Sequence, residues 1–285
     1  MSVATIQAIA SALMVVVMML AAGFKLELGQ LKAVTQHRSL LLKSIAVNLV
    51  AIPLAAWATV VLLDLPSAVG VGIVLVAAAP GGATAALYAN QARSDLPQAV
   101  AMTLLLPAMG LLTTPATVAI AADLDVPTGP LALKIAAALL FTQLLPLAIG
   151  MLVRAKRPEL AARLARPTTM LANLLLAGIT VLLMVLKGRV LLEIKGLTWA
   201  AMLGLSTLAL VLGYWAGSPG VASARSASIV AVTRNVAVAI LLASTAFSDP
   251  VIDATVLSYA LLVVLMPLAI SLFWKNTASK QAPPT

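Results

Sequence analysis

The chain has 285 residues, 62% hydrophobic and only 9% charged, with a mean hydropathy of +1.10. A water-soluble domain of this size needs more polar residues to cover its outside, so the natural solvent of this chain is lipid. It has no cysteine, which excludes disulfide frameworks, thiolate metal sites and cysteine nucleophiles. The net charge of +9 falls in short segments between apolar runs, the pattern of membrane topology rather than of a nucleic-acid-binding surface.

A spanning helix needs roughly 20 apolar residues. Taken in chain order, the runs predict nine spans, at about 5–24, 39–61, 67–92, 96–121, 127–153, 167–186, 197–216, 220–247 and 250–273. The first is too long for a signal peptide, and no Ala-x-Ala cleavage site precedes a soluble domain. The runs are continuous and lack the alternation of a transmembrane barrel. Between spans five and six, Lys156 to Arg166 mixes leucines and alanines with Arg157, Arg163 and Arg166. It reads equally as a short basic amphipathic helix on the membrane surface or as a basic loop that fixes topology.

Charge sets the direction. With the N-terminus outside, the inner segments hold thirteen basic residues, among them Lys25, Lys32, Arg38, Lys43, Arg93, Arg154, Arg225 and Lys275. The outer ones hold three, Lys187, Arg189 and Lys195, together with Asp64, Asp123, Asp125, Asp249 and Asp253. This bias predicts an integral protein of a bacterial-type inner (plasma) membrane, N-out and C-in. Trp57 and Trp199 then fall near the outer interface, Trp215 and Trp274 near the inner one.

Two spans are interrupted. In span three, Pro80 removes a backbone donor and Gly81 and Gly82 loosen the helix at once. Such a break bares carbonyls and amides at membrane depth, which is tolerated where they line a cavity or a ligand site. Span eight carries Thr233, Arg234 and Asn235 between apolar runs. An arginine near the midplane costs several kcal/mol by insertion scales and marks a functional site or a point where helix-end carbonyls pin the packing. The breaks divide the chain into halves, 1–126 with four spans and 127–285 with five. The odd offset turns the halves opposite ways, and inverted repeats with broken helices meeting at the midplane characterise secondary transporters. The breaks at Pro80–Thr84 and Thr233–Asn235, with Asn48 and Thr103 close by, are the expected substrate-binding crossover.

Ala79-Pro80-Gly81-Gly82 through Leu87, then Arg93, Asp95 and Ala99-Val100-Ala101-Met102-Thr103, resembles the bile acid:sodium symporter family, as do Pro53 and Asn235. The resemblance runs from about residue 12 to 274 and implies an all-α membrane fold in the family's nine-span form. It implies a panel of spans one, five and six, and a core of spans two to four and seven to nine in which the broken helices cross. It also implies coupling to sodium, and there the residues depart. Sodium-coupled members carry a Ser-Asn pair five residues after the proline, where this chain has Ala85 and Ala86. The second broken helix carries a glutamate and then Gln-Asn, where this chain has Val230 and Arg234-Asn235. A span-two glutamine is Asn48, and a span-four serine is Ala99. Of the polar positions, only Thr103 and Asn235 keep their type. Losing the one carboxylate and gaining a guanidinium argues that both sodium sites are lost, with Arg234 standing as a tethered cation. Arg234 would then hold the crossover together or grip an anionic substrate directly.

The expected function is therefore a sodium-independent secondary transporter of a small organic anion. The alternative is a non-transporting membrane sensor or scaffold on the same fold. An enzyme is not expected: His37 is the only histidine and lies in a loop, no acidic residue is placed inside a span, and Lys134 has no serine partner. No channel filter motif occurs. Beyond the bilayer and a small organic anion, no partner or cofactor is expected, and the oligomeric state is not fixed by the sequence.

Overall fold

A computed structural model describes residues 3–25, 38–82, 84–121, 128–247 and 249–280. The segments carrying Lys32, His37, Asp123 and Asp125 lie outside the described residues. The described residues form helices and connecting turns, without a strand. In lipid each backbone amide must find its partner within the segment, and the helix is the local solution.

The helices are α1 (Val3–Lys25), α2 (Arg38–Leu62), α3 (Ser67–Ala77), α4 (Ala85–Gln91), α5 (Leu96–Ala121) and α6, which runs as Thr128–Leu139, Leu140–Leu144 and Leu145–Lys156. They continue with α7 (Pro158–Leu192), α8 (Gly196–Gly217), α9 (Val221–Val232), α10 (Val236–Leu242) and α11 (Pro250–Lys280). Among the described residues, eight stretches are long and apolar enough to cross a membrane, with α9 and α10 counted together as Val221–Phe247. The third span expected at 67–92, interrupted at Pro80, is two pieces, α3 of 11 residues and α4 of 7. At 1.5 Å per residue they rise only about 16 and 10 Å, each short of the roughly 30 Å hydrocarbon core. The break at Pro80–Gly82 causes the division.

Two expectations are corrected. The basic segment 156–166 is not a separate surface element, because α7 starts on Pro158 and runs unbroken through Pro167 for 35 residues. Asp253 is not in a loop. Asp249 Oδ1 accepts the Val251 amide at 2.7 Å and Pro250 takes the first helical position, so α11 starts early enough to enclose Asp253 in its first turn.

α1 packs along α6 and α7, α11 along α3 and α7, and α5 against α6. The α9–α10 stretch is the centre, 83% of its apolar window buried, whereas Pro158–Leu186 is 17% buried and peripheral. α8 lies against α9 through Gly213 and Gly217, a small-xxx-small pair. A Cβ on Gly213 would sit 2.6 Å from the Ala227 carbonyl, so this close approach admits no larger residue.

Candidate functional site

Pro80 ends α3 and the chain crosses to α4 through Gly81 and Gly82. Gly81 has φ +77, a left-handed conformation natural to glycine. Gly82 lies against the second break: a Cβ there would be 2.5 Å from the Arg234 carbonyl. At that break α9 stops at Val232, residues Thr233 to Asn235 are non-helical, and α10 restarts at Val236.

The two interruptions satisfy each other. The Gly82 amide donates to the Thr233 carbonyl at 3.0 Å, and the Asn235 amide donates to the Ala79 carbonyl at 2.8 Å. This pair of bonds, two bridges between segments far apart in sequence, holds the crossing and removes part of the cost of bare backbone in lipid. Thr233, fully buried, turns its hydroxyl to the Ile229 carbonyl at 2.7 Å. Asn235 caps α10, its Oδ1 accepting the Val238 amide at 3.3 Å, while its Nδ2 has no partner among the described residues.

Arg234 is 4% exposed and uses all five of its N–H groups inside the protein. Nε donates to Val76 O at 3.5 Å; Nη1 donates to Asn48 Oδ1 at 3.0 Å and Ala231 O at 3.5 Å. Nη2 donates to Asn48 O at 3.1 Å and to Ala77 O. Val76 and Ala77 close α3 and Ala231 closes α9, so the cation caps two helix C-termini, where carbonyls carry negative dipole ends.

The Asn48 carbonyl is free for a local reason. Residues Val47–Ala51 form a π-helical turn in which the Ile52 amide reaches back to Val47 O. The next amide in that register would bind Asn48 O, but residue 53 is proline and has none. Asn48 Nδ2 returns to its own helix at Ser44 O, 2.9 Å, leaving Oδ1 to the arginine.

A cavity of about 210 Å³ lies against this crossing. Gly82, Thr84, Arg234 and Asn235 form one wall; α1, α7 and α11 form the others, with Met18, Thr180 and Leu261. It is mostly apolar, with Thr84, Thr180 and Asn235 as its side-chain polar points.

The structure thus brings together Asn48, Pro80, Gly81, Gly82, Thr84, Thr233, Arg234 and Asn235. Thr103 stays half-buried on α5 and donates to Ala99 O at 2.8 Å, with no hydrogen bond to the crossing. Ala85, Ala99 and Val230 are fully buried and Ala86 is half-buried, and none offers a side-chain oxygen. No cluster of three His, Cys, Asp or Glu side chains occurs among the described residues. The sequence reading missed two polar bridges. Gln7 Nε2 on α1 donates to Asp253 Oδ2 on α11 at 3.1 Å, and Gln143 Nε2 on α6 donates to Pro107 O on α5 at 2.5 Å. Glutamines inside spans were the available signal.

A family model described as "Sodium Bile acid symporter family" matches residues 12–194, more than half of the chain. No curated protein matches it.

Proposed function

The chain belongs to the sodium bile acid symporter family, and from that premise we propose that it carries a small amphipathic organic anion across the membrane by alternating access, without sodium. That it is a membrane transporter of this type follows from the family and from its apolar spans. The substrate class and the coupling are our reading. The observation that carries them is the crossing itself: two broken helices hydrogen-bonded to each other, a guanidinium on one side and a largely apolar cavity on the other.

Arg234 does not grip the substrate in this reading, because its donors are spent. Its charge remains, however. Its partners are neutral amide and carbonyl oxygens, and the cavity wall includes no acidic side chain. A unit charge in a low-dielectric wall favours an anion in the space beside it. The substrate's charged group is assigned to the end of the cavity at Gly82, Thr84 and the unpartnered Nδ2 of Asn235, where the α10 N-terminus adds amide dipoles. Its apolar body lies among Met18, Leu261 and the α7 leucines.

Sodium does not fit this donor set. The oxygen of Asn48 already accepts from Arg234, the alanine and valine positions offer none, and a second cation would sit beside the first. The guanidinium satisfies permanently the helix-end carbonyls that a mobile ion would otherwise serve. In the same reading α1, α6 and α7 form the panel against which the remaining helices rock, the halves 1–126 and 127–285 are inverted repeats, and the N-terminus faces outward.

A thermal-shift screen of organic anions, with sodium replaced by choline, followed by counterflow of the hits in liposomes, tests the proposal. Saturable, sodium-independent uptake is expected. Binding without uptake would refute transport and leave a sensor. Uptake that rises saturably with sodium and not with choline would refute the coupling.

A further inference from the structure

The end of the molecule opposite Trp57 and Trp199 holds a second cavity, of about 430 Å³, that the transport reading does not use. It is a groove between the last turns of α8 and of α11, lined by Leu210, Val211, Tyr214, Trp215, Ile270 and Trp274. It opens sideways, since Val211 and Trp215 are 59% and 60% exposed on a face that in an integral membrane protein meets lipid. Tyr214 and Trp274 stand 6.3 Å apart between ring centroids and brace the groove.

Two cations border it. Lys43, near the start of α2, places Nζ 5.5 Å from the centre of the Trp215 ring. Arg225, near the start of α9, places its guanidinium carbon 5.6 Å from the centre of the Trp274 ring. The aromatic faces hold both side chains in place at half-buried positions. Neither has a hydrogen bond or an ion pair among the described residues. Asp95, which meets α9 through Ser223, is engaged elsewhere. Its Oδ1 accepts the Gln98 amide at 3.1 Å and its Oδ2 the Ser223 hydroxyl at 3.4 Å. The two serines of the groove are spent as donors too, Ser218 on Tyr214 O and Ser228 on Leu210 O. The charged donors beside the groove are the two cations that stand against its tryptophans.

We propose that this groove is a binding site for an anionic phospholipid, its acyl chain along Leu210, Val211 and Ile270 and its phosphodiester between Lys43 and Arg225. The position suits such a lipid. The tryptophans mark headgroup depth, and the end of the bundle where α2 and α9 begin is the basic end. A zwitterionic lipid would bring its own ammonium up to two fixed cations and is disfavoured by charge.

The test uses the whole chain with Trp57→Phe and Trp199→Phe, leaving Trp215 and Trp274 as the fluorophores. The protein is placed in phosphatidylcholine nanodiscs with rising amounts of phosphatidylglycerol whose acyl chains are dibrominated. Quenching that saturates at low mole fraction is expected, with brominated phosphatidylcholine at the same mole fraction quenching only in proportion to its amount. Lys43→Gln with Arg225→Gln should require roughly 30-fold more anionic lipid, the factor for two surface cations. The charge-keeping pair Lys43→Arg with Arg225→Lys should retain saturation. Equal quenching by both lipids, or unchanged saturation in the glutamine pair, overturns the proposal. So does loss of selectivity on adding excess inorganic phosphate, which would mark a free-anion site. The two-lipid comparison decides even if the glutamine pair fails to fold.

Discussion

Replacing Arg234 tests both of its assigned roles. In Arg234→Ala five hydrogen bonds disappear, and three acceptors, Asn48 Oδ1, Asn48 O and Ala77 O, lose the donor that served them. A buried acceptor left empty costs about 1–3 kcal/mol. Removing the guanidinium also removes its own desolvation penalty, which offsets part of this. A net loss of about 2 kcal/mol is expected, lowering the melting temperature by roughly 4–8 °C. Sodium is the sharper arm. A sodium ion about 4 Å from the guanidinium would be repelled by roughly 4 kcal/mol at an effective dielectric of 20, about three orders of magnitude in affinity. The unmodified protein should therefore melt at one temperature in sodium and in choline chloride. Arg234→Gln combined with Val230→Glu restores a carboxylate and removes the resident charge, and its melting temperature should rise with sodium. Melting in detergent, followed by fluorescence-detected size exclusion, measures both. An unmodified protein stabilised saturably by sodium alone would refute the electrostatic argument. An Arg234→Ala variant as stable as the parent would refute the capping argument.

Gly82→Val should abolish ligand-induced stabilisation, because its Cβ would fall 2.5 Å from the Arg234 carbonyl and force the breaks apart. The same thermal-shift screen reads the loss. Gln7→Leu should cost about 1–3 kcal/mol, since it strips one hydrogen bond from the buried Asp253 carboxylate; an unchanged melting temperature would show the bridge to be dispensable. A C-terminal fluorescent fusion should glow and a C-terminal periplasmic phosphatase fusion should stay inactive, and the reverse pattern would overturn the N-out, C-in assignment.

The long helices were legible because lipid leaves a 20-residue apolar run few alternatives, and Leu96–Ala121 starts and ends where the apolar run does. Both breaks were legible through residues that a continuous apolar span would not carry, Pro80-Gly81-Gly82 and Thr233-Arg234-Asn235. The destination of the Arg234 side chain was not. The sequence shows that a buried arginine needs acceptors, but helix-end carbonyls are backbone atoms and leave no mark in residue type. Asp253 was misplaced for a similar reason. A charge within a few residues of a span end reads as loop, and only the Asp249–Pro250 start of α11 puts it a turn inside. Thr103 kept the family's residue type, yet its hydroxyl bonds to its own helix at Ala99 O. Pro167 looked like a boundary but stands early in α7, where neighbouring turns absorb the missing bond.

The acceptors of Arg234 share a property of order. Asn48, Val76, Ala77 and Ala231 all precede it along the chain, Asn48 by 186 residues and Ala77 by 157. A protein is made from its N-terminus, so each of these oxygens has left the ribosome before the arginine does. The most expensive residue to place in lipid arrives after all of its acceptors have been synthesised. Its entry into the bilayer is thereby tied to the earlier docking of α2 against α3. A lesion in either helix, such as one restoring an amide at Pro53, would be felt during biogenesis as a failure to accept the α9–α10 segment, before any finished transporter exists to be slow.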